Sequence, residues 1–134
     1  MKSRIGFTMI ELMLVVIIIG CLAAMVMPRL AGRSDQARVA AAKAEVTANI
    51  PTALKLYELD CGVFPTTIEG LAVLSQRPSG AAHWRGPYLD RKAIDPWGRE
   101  YKYVSPGVHR PNDYDLYSLG KDGAEGNDDV ANWE

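Results

Sequence analysis

An apolar run from Phe7 to Met27 constrains this chain more than any other feature of its sequence. The run contains 21 residues and one charged side chain, Glu11. As an α-helix it would rise about 32 Å at ~1.5 Å per residue, which is enough to cross the hydrocarbon core of a membrane. The sequence therefore predicts a membrane-length helix near the start of the chain.

Three interpretations of this run are open. A secretory signal has a basic start and an apolar stretch, and it is removed from the mature protein. The segment Ile18-Ile19-Gly20-Cys21 resembles a lipobox, which would make Cys21 the acylated first residue of a lipoprotein. In the third interpretation a leader, residues 1–6, is cleaved between Gly6 and Phe7, and the apolar helix stays on the mature chain.

Glu11 favours the third interpretation. A carboxylate inside a membrane span costs about 2.5–3.5 kcal/mol on insertion scales, so a span that carries one should need it. A discarded signal has no use for this group. In a filament, by contrast, the new amino terminus at Phe7 would be a buried cation that Glu11 of a neighbouring copy can neutralise. The apolar run also continues past Cys21, which lipobox cleavage would leave on the mature protein.

The segment Gly6-Phe7-Thr8-Met9-Ile10-Glu11 looks like the processing site of type IV pilins and pseudopilins. The resemblance implies cleavage after Gly6 and N-methylation of Phe7 by a prepilin peptidase. It also implies a leader in the cytoplasm and a soluble part in the periplasm. Charge alone does not decide this orientation, because basic residues flank the run on both sides.

The rest of the sequence predicts an α+β fold, in which a long helix packs on a small antiparallel sheet. Apolar residues keep helical spacing to about Asp60, and Cys61-Gly62 should stop the helix. Pro51 interrupts this pattern and should kink the helix. The domain prediction is a leader at 1–6, a membrane or filament-core helix at 7–32, and a globular domain at 33–134.

Within the globular domain, Thr66-Thr67-Ile68-Glu69 is a capping box that should open a short helix ending near Arg77-Pro78. The turn Asp95-Pro96-Trp97-Gly98 should precede a strand at Glu100 to Val104. Two further strands are predicted at Tyr114 to Leu119 and, as a short edge, at Pro87-Tyr88-Leu89.

The globular domain is similar to the major pseudopilins of type II secretion systems. The segments that carry the resemblance are Leu56–Asp60, Gly62–Leu71, Gly86–Leu89, Asp95–Gly98, Tyr117–Gly123 and Asn127–Trp133. The resemblance therefore implies a type IV pilin-like fold. Cys61 and Pro51 depart from the family pattern. Adhesive and motility pilins usually close a C-terminal loop with a disulfide, which a soluble part with one cysteine cannot form.

The segment from Asp122 to Asp129 carries four carboxylates, two glycines and no basic residue. From composition alone it is either a solvated acidic tail or a site for a hard cation such as calcium, which takes six to eight oxygen ligands. The resemblance to major pseudopilins implies calcium. Carried over by position, the implied ligands are the side chains of Asp122, Asp128 and Asp129 and the backbone carbonyls of Leu119, Ala124 and Gly126.

Several function classes find no support in the sequence. The net charge is −1, and −3 once Lys2 and Arg4 leave with the leader, so the basic balance of a nucleic-acid-binding protein is absent. We found no catalytic constellation, and the chain is predicted not to be an enzyme. His83 and His109 are expected to be solvated loop residues. Trp84, Trp97 and Trp133 are expected in the core or in subunit contacts.

The expected function is that of the major subunit of a type II secretion pseudopilus, a homopolymer that drives folded proteins across the outer membrane. The expected partners are minor pseudopilins, the prepilin peptidase, the inner-membrane assembly platform and, before assembly, membrane lipid, with no nucleic acid. The expected location is the bacterial inner membrane, with one span and a periplasmic domain. The alternatives are a type IV pilus subunit for adhesion, motility or DNA uptake, and a lipid-anchored periplasmic protein.

Overall fold

The computed structural model describes residues 6–134, except for the side chains of residues 29–31. The predicted leader therefore lies almost wholly outside the described residues. The described chain divides into two compact units, one ending at Gln36 and the other running from Ala37 to Glu134.

The long helix is confirmed. Helix α1 runs Met9–Ala44, a π-helical turn occupies Glu45–Asn49, and α2 runs Ile50–Cys61. Gly62 ends α2 as predicted: its φ of 85° is left-handed, and its N–H donates to the Glu58 carbonyl at 2.7 Å. Glycine is favoured at this position because it adopts positive φ without steric cost.

Pro51 changes the hydrogen-bond pattern of the helix without ending it. The Ile50 N–H reaches back five residues to the Glu45 carbonyl, so that the backbone forms a π-turn just before the proline. Pro51 then lies in the first turn of α2, where its missing N–H leaves no α-helical bond unmade. A kink was expected at Pro51 from the sequence, and the structure shows a π-turn that begins six residues before it.

The core of the second unit forms between α2, a 3₁₀ helix at Gly70–Leu74 and the sheet. The buried face of the π-turn and α2 has helical spacing, with Val46, Ile50, Leu54 and Tyr57 all 5% exposed or less. The other core residues are Ala53, Val73, Leu74, Tyr101, Tyr103, Tyr114 and Leu116. Burial raises the pKa of Tyr103 and of Tyr114 to about 12, so both phenols stay neutral in the core at physiological pH.

The sheet has three antiparallel strands in chain order: β1 Lys102–Val104, β2 Asp115–Ser118 and β3 Val130–Ala131. Tyr103 pairs with Leu116, and Ser118 pairs with Val130. The two strands predicted around residues 102 and 116 are confirmed with tighter bounds.

Two predictions in this unit were wrong. Pro87–Leu89 is not a strand, because the N–H groups of Tyr88 and Leu89 both donate to one carbonyl, that of Leu74, at 2.7 and 3.0 Å. The helix expected to reach Arg77 is instead the shorter 3₁₀ helix. Its capping box is present, since Thr66 N–H donates to Glu69 Oε2 at 2.8 Å and Glu69 N–H donates to Thr66 Oγ1 at 3.3 Å.

Candidate functional sites at the N-terminal helix and the C-terminal loop

The predicted cleavage point lies immediately before the long helix. Gly6 and Phe7 are exposed and outside any helix. Thr8 caps the helix: its Oγ1 accepts from Glu11 N–H at 3.3 Å, and Glu11 Oε2 accepts from Thr8 N–H at 3.5 Å. Thr8 and Glu11 thus form a capping box. Sequence reasoning missed this second role of Glu11, although the Thr-x-x-Glu pattern could have revealed it.

The helix after this cap is apolar on all sides. Among the described residues, one helix is long and apolar enough to cross a membrane, and its most apolar window contains no buried residue. The large apolar side chains from Phe7 to Met27 are all exposed, from 44% at Val15 to 80% at Met9. Cys21 is exposed and unpaired on this helix. The surface is one that lipid or other copies of the chain can cover.

The C-terminal loop, defined here as Leu119–Asp129, is folded around its own carboxylates. Asp128 Oδ2 accepts from Lys121 N–H at 2.8 Å and from Asp122 N–H at 3.2 Å. Asp122 Oδ1 accepts from Ala124 N–H at 2.8 Å. The backbone N–H groups that Asp128 accepts, first that of Asp122 and then that of Lys121, lower its pKa. The loop therefore favours the ionised form of Asp128.

Asp129 leaves one oxygen without a protein partner. Its Oδ2 accepts from Gly126 N–H at 3.2 Å, but its Oδ1 is buried and has no hydrogen-bond partner among the described residues. The carbonyl of Leu119 accepts from Gly123 N–H at 3.1 Å. No three His, Cys, Asp or Glu side chains of the described chain converge as a metal-binding group. The donors of the loop are oxygens, the type that calcium takes, and Asp129 Oδ1 lacks a partner, but the described carboxylates do not converge on one point.

Arg99 lies against the start of this loop, and sequence reasoning missed it. Its Nη2 donates to the carbonyls of Gly120 and, at 3.2 Å, Lys121. The predicted turn at Asp95–Gly98 is confirmed, with Asp95 Oδ1 accepting from Arg99 N–H at 2.8 Å. The position of Arg99 directly after this turn is the one sequence signal that could have pointed to it.

The buried carboxylate of Asp95 also connects the turn to the sheet. Ser118 Oγ donates to Asp95 Oδ2 at 2.6 Å and accepts from Gly120 N–H at 3.2 Å. Gly120 has a φ of 61°, and a Cβ there would overlap the Asp128 carbonyl oxygen. Only glycine therefore fits where the loop leaves β2.

The last residues of the chain are anchored beside His109, which is an exposed loop residue, as predicted, although its ring has partners that the sequence did not indicate. The rings of His109 and Trp133 stack with centroids 4.0 Å apart, and His109 Nδ1 lies 3.0 Å from Asp115 Oδ2. Burial opposes ionisation of Asp115, but hydrogen bonds from His109, Val108 and Arg110 outweigh it and lower its pKa. Trp84 contacts the core and donates to the Val73 carbonyl at 2.8 Å, as predicted for a core residue. His83 is exposed, as predicted.

Comparisons with known proteins match both parts of the chain. Residues 1–27 match the prokaryotic N-terminal methylation motif, and residues 29–133 match the family described as type II secretion system (T2SS), protein G. The type II secretion system core protein G of Pseudomonas aeruginosa is 45% identical, covering 99% of this chain and 97% of that protein. The protein of the same description from Klebsiella pneumoniae is 41% identical, covering 99% and 96%.

A solved structure agrees with the fold. The crystal structure of the major pseudopilin from the type 2 secretion system of enterohaemorrhagic Escherichia coli matches with a TM-score of 0.67 and 31% identity. The match covers 76% of this chain and 87% of that chain.

A capped apolar helix that carries a methylation motif, followed by a small antiparallel sheet, defines a pilin-like filament subunit. Within that class, the chain belongs to the protein G family of the type II secretion system, the major pseudopilins. It is a major structural subunit of a secretion pseudopilus, as its sequence predicted, and it assembles there with other components of the system. The family is one of structural proteins, and the apolar helix is compatible with anchoring in the inner membrane.

Proposed function

We propose that the chain is made as a precursor, cleaved between Gly6 and Phe7, and N-methylated on Phe7 by a prepilin peptidase. Its globular domain then lies in the periplasm, where the subunit polymerises and drives folded proteins across the outer membrane. Minor pseudopilins and the inner-membrane assembly platform are the expected partners. The observation that carries this proposal is the exposed, non-helical Gly6–Phe7 bond directly before a capped apolar helix.

Glu11 has two roles in this proposal. In the single subunit it caps the helix that begins at Met9. In the filament it pairs with the methylated amine of Phe7 on a neighbouring copy, because an amino terminus buried in an apolar assembly needs a counter-charge. A carboxylate in the first helical turn also interacts favourably with the positive end of the helix dipole. The cap and the proposed charge pair therefore both favour an ionised Glu11 at this position.

The intact mass of membrane-extracted protein tests the processing step. We expect a chain that begins at Phe7 and carries one methyl group. A Gly6→Ala variant should keep residues 1–6, while a Cys21→Ser variant serves as the control and should mature normally. A diacylglycerol adduct on Cys21, with the first 20 residues missing, would instead support the lipid-anchored alternative.

We propose further that the C-terminal loop binds calcium. The side chains of Asp122, Asp128 and Asp129 would supply oxygens, together with the backbone carbonyls of Leu119, Ala124 and Gly126. Support comes from the lowered pKa of Asp128 and the buried, unpartnered Oδ1 of Asp129. Bound calcium would supply positive charge among four carboxylates that otherwise repel one another, and it would stabilise the folded loop that precedes β3 and Trp133.

Thermal melting of a fragment that begins at Arg33, in calcium, magnesium or a chelator, tests this site. A cation bound only by the folded state adds about 2.7 kcal/mol at a hundredfold excess over its dissociation constant. For a domain of ~100 residues this raises the melting temperature by an amount on the order of 10 °C. Magnesium should stabilise less, because it requires a tighter octahedral shell.

Two carboxylate variants separate metal binding from ordinary loop bonding. Asp128→Asn removes an implied ligand, whereas Glu125→Gln changes a carboxylate of the same loop that is bonded to Tyr117 OH at 3.3 Å. The calcium-induced rise in melting temperature should vanish in Asp128→Asn and persist in Glu125→Gln. Three superimposable curves for the unmodified fragment would contradict a calcium site.

A further inference from the structure

Arg99 is bonded at its backbone to the Asp95 turn and at its side chain to the C-terminal loop. Its backbone N–H donates to Asp95 Oδ1 at 2.8 Å, and its side-chain Nη2 donates to the carbonyls of Gly120 and Lys121. Two consecutive carbonyls at the start of the loop therefore share one cationic donor. Hydrogen bonds from a charged donor are roughly twice as strong as those between neutral groups.

This guanidinium has no acidic partner in the described part of the chain. None of the salt bridges among residues 6–134 involves Arg99, and its Nε is buried without a hydrogen-bond partner. Arginine stays protonated at every physiological pH. It therefore places a permanent positive charge beside a loop that carries one basic residue, Lys121, and four acidic ones, Asp122, Glu125, Asp128 and Asp129.

Gly123 provides the space that the guanidinium occupies. Its φ is 75°, and a Cβ built there would lie 2.8 Å from Arg99 Nη1. By contrast, a Cβ on Gly126 in the same loop meets nothing closer than 3.8 Å, and Gly126 has no positive φ. The loop is thus fitted around Arg99 at one glycine and is open at the other.

From these contacts we infer that Arg99 is a positioning residue, which holds the first turn of the C-terminal loop in its folded path before any metal binds. The carbonyls that it occupies, those of Gly120 and Lys121, are not the ones implied for calcium. Arg99 therefore does not occupy the implied calcium carbonyls, and we expect the gain from a preformed loop to outweigh the repulsion between its charge and a bound cation. The effect on loop order stands alone, and only the effect on calcium affinity rests on the proposed calcium site.

Hydrogen exchange of the full chain in detergent, measured by mass spectrometry in excess chelator, tests the effect on loop order. In Arg99→Met, which keeps most of the side-chain length and removes the donors, residues 120–129 should exchange about tenfold faster. Helix α2 should keep its protection and serves as the internal control. Arg99→Lys, which keeps a cationic donor without the planar fork, should restore part of the protection. Equal exchange of the loop in Arg99→Met and the unmodified chain would overturn the inference.

A second comparison can overturn the inference even if Arg99→Met unfolds, and it separates the role of Arg99 from backbone strain at Gly123 where that variant folds. Gly123→Ala should speed exchange of the loop, while Gly126→Ala should leave it unchanged. Where Arg99→Met folds, adding Gly123→Ala should have a smaller effect than in the unmodified chain, because the displaced group is already absent. Equal loop exchange in the two alanine variants would overturn the inference.

Calcium titration of the same proteins, followed by loop exchange, tests the second consequence. If Arg99→Met leaves the loop folded only a tenth of the time, apparent calcium affinity falls about tenfold. If calcium does not change loop exchange in the unmodified chain, the calcium proposal is wrong. The comparison of loop exchange in chelator would still test the role of Arg99. A variant with faster loop exchange and unchanged calcium affinity would overturn the assisting role.

Discussion

The helix up to Gln36 and the unit from Ala37 to Glu134 both place apolar side chains on helices, but these side chains differ in their exposure. In the first, every large apolar side chain from Phe7 to Met27 is exposed. In the second, helical positions of the same chemistry, such as Ile50 and Leu54, are fully buried. The comparison shows that helix formation is local, whereas the burial that stabilises a helix must come from a partner surface.

The two capping boxes make this contrast concrete. Thr8–Glu11 and Thr66–Glu69 share the Thr-x-x-Glu pattern, and in both the threonine hydroxyl accepts at 3.3 Å. The returning bond to the glutamate is 3.5 Å in the first and 2.8 Å in the second. Within residues 6–134 the hydrogen bonds of Glu69 are these local ones, whereas Glu11 is also the one charge in the apolar run from Phe7 to Met27. In the proposed filament the first motif would therefore have a second task, the pairing of Glu11 with the Phe7 amine of a neighbouring copy.

The largest effect should come from removing Glu11. In a filament core an unpaired amino terminus costs about 3–5 kcal/mol per subunit, so Glu11→Ala should insert into the membrane but fail to assemble. Glu11→Gln is the matched control, because glutamine still serves a capping box but carries no charge. Filament yield after shearing measures assembly. If Glu11→Gln assembles normally, the cap is what matters and the charge pair is wrong.

Next in size is a cavity in the second unit. Leu54 is 0% exposed and Leu59 is 80% exposed on the same helix. Leu54→Ala should lower the free energy of unfolding by about 2–5 kcal/mol. Leu59→Ala should change it by less than about 0.5 kcal/mol. Urea denaturation of a fragment from Arg33 measures both, and similar losses would contradict the assigned core.

Asp115 should give a smaller, pH-dependent effect. Its folded pKa is lowered, so its contribution is present above the unfolded value of about 3.9 and is lost as the pH falls through the folded pKa. Asp115→Asn should cost about 1–3 kcal/mol at neutral pH, since the backbone N–H groups of Val108, His109 and Arg110 lose their charged acceptor. Acid titrations followed by tryptophan fluorescence should show that the variant loses less stability than the unmodified fragment between pH 5 and pH 2, a range that brackets the reference value. If the stability of the variant and of the unmodified fragment falls equally with pH, the acid sensitivity comes from groups other than Asp115.

The smallest effect should come from the second capping box. Glu69→Ala removes the acceptor for the Thr66 N–H and should cost about 0.5–2 kcal/mol in urea denaturation of the fragment. Ile68→Ala, at a side chain that is 98% exposed, is the control and should be neutral. If Ile68→Ala lowers the free energy of unfolding more than Glu69→Ala does, then Ile68 is not the exposed side chain of this structure.

What the sequence alone determined about this protein is its local structure and its class. Four features depend on residues that are close in the sequence. They are the apolar run, the helical spacing to Cys61, the glycine at Gly62 that ends the helix, and the Gly6–Phe7–Glu11 pattern. Their consequences can therefore be read without the fold. The family resemblance added an expected calcium site, whose ligands remain a prediction.

Only the tertiary structure decided which distant residues meet. Strand β3 has two residues, too few for any periodicity, and it exists because Val130 pairs with Ser118. Arg99 matters because the Asp95 turn delivers it to carbonyls 21 and 22 residues further along the chain. The stacking of His109 on Trp133 likewise joins residues that are distant in the sequence. These contacts depend on the path of the backbone in space, and side-chain type and spacing do not encode that path locally.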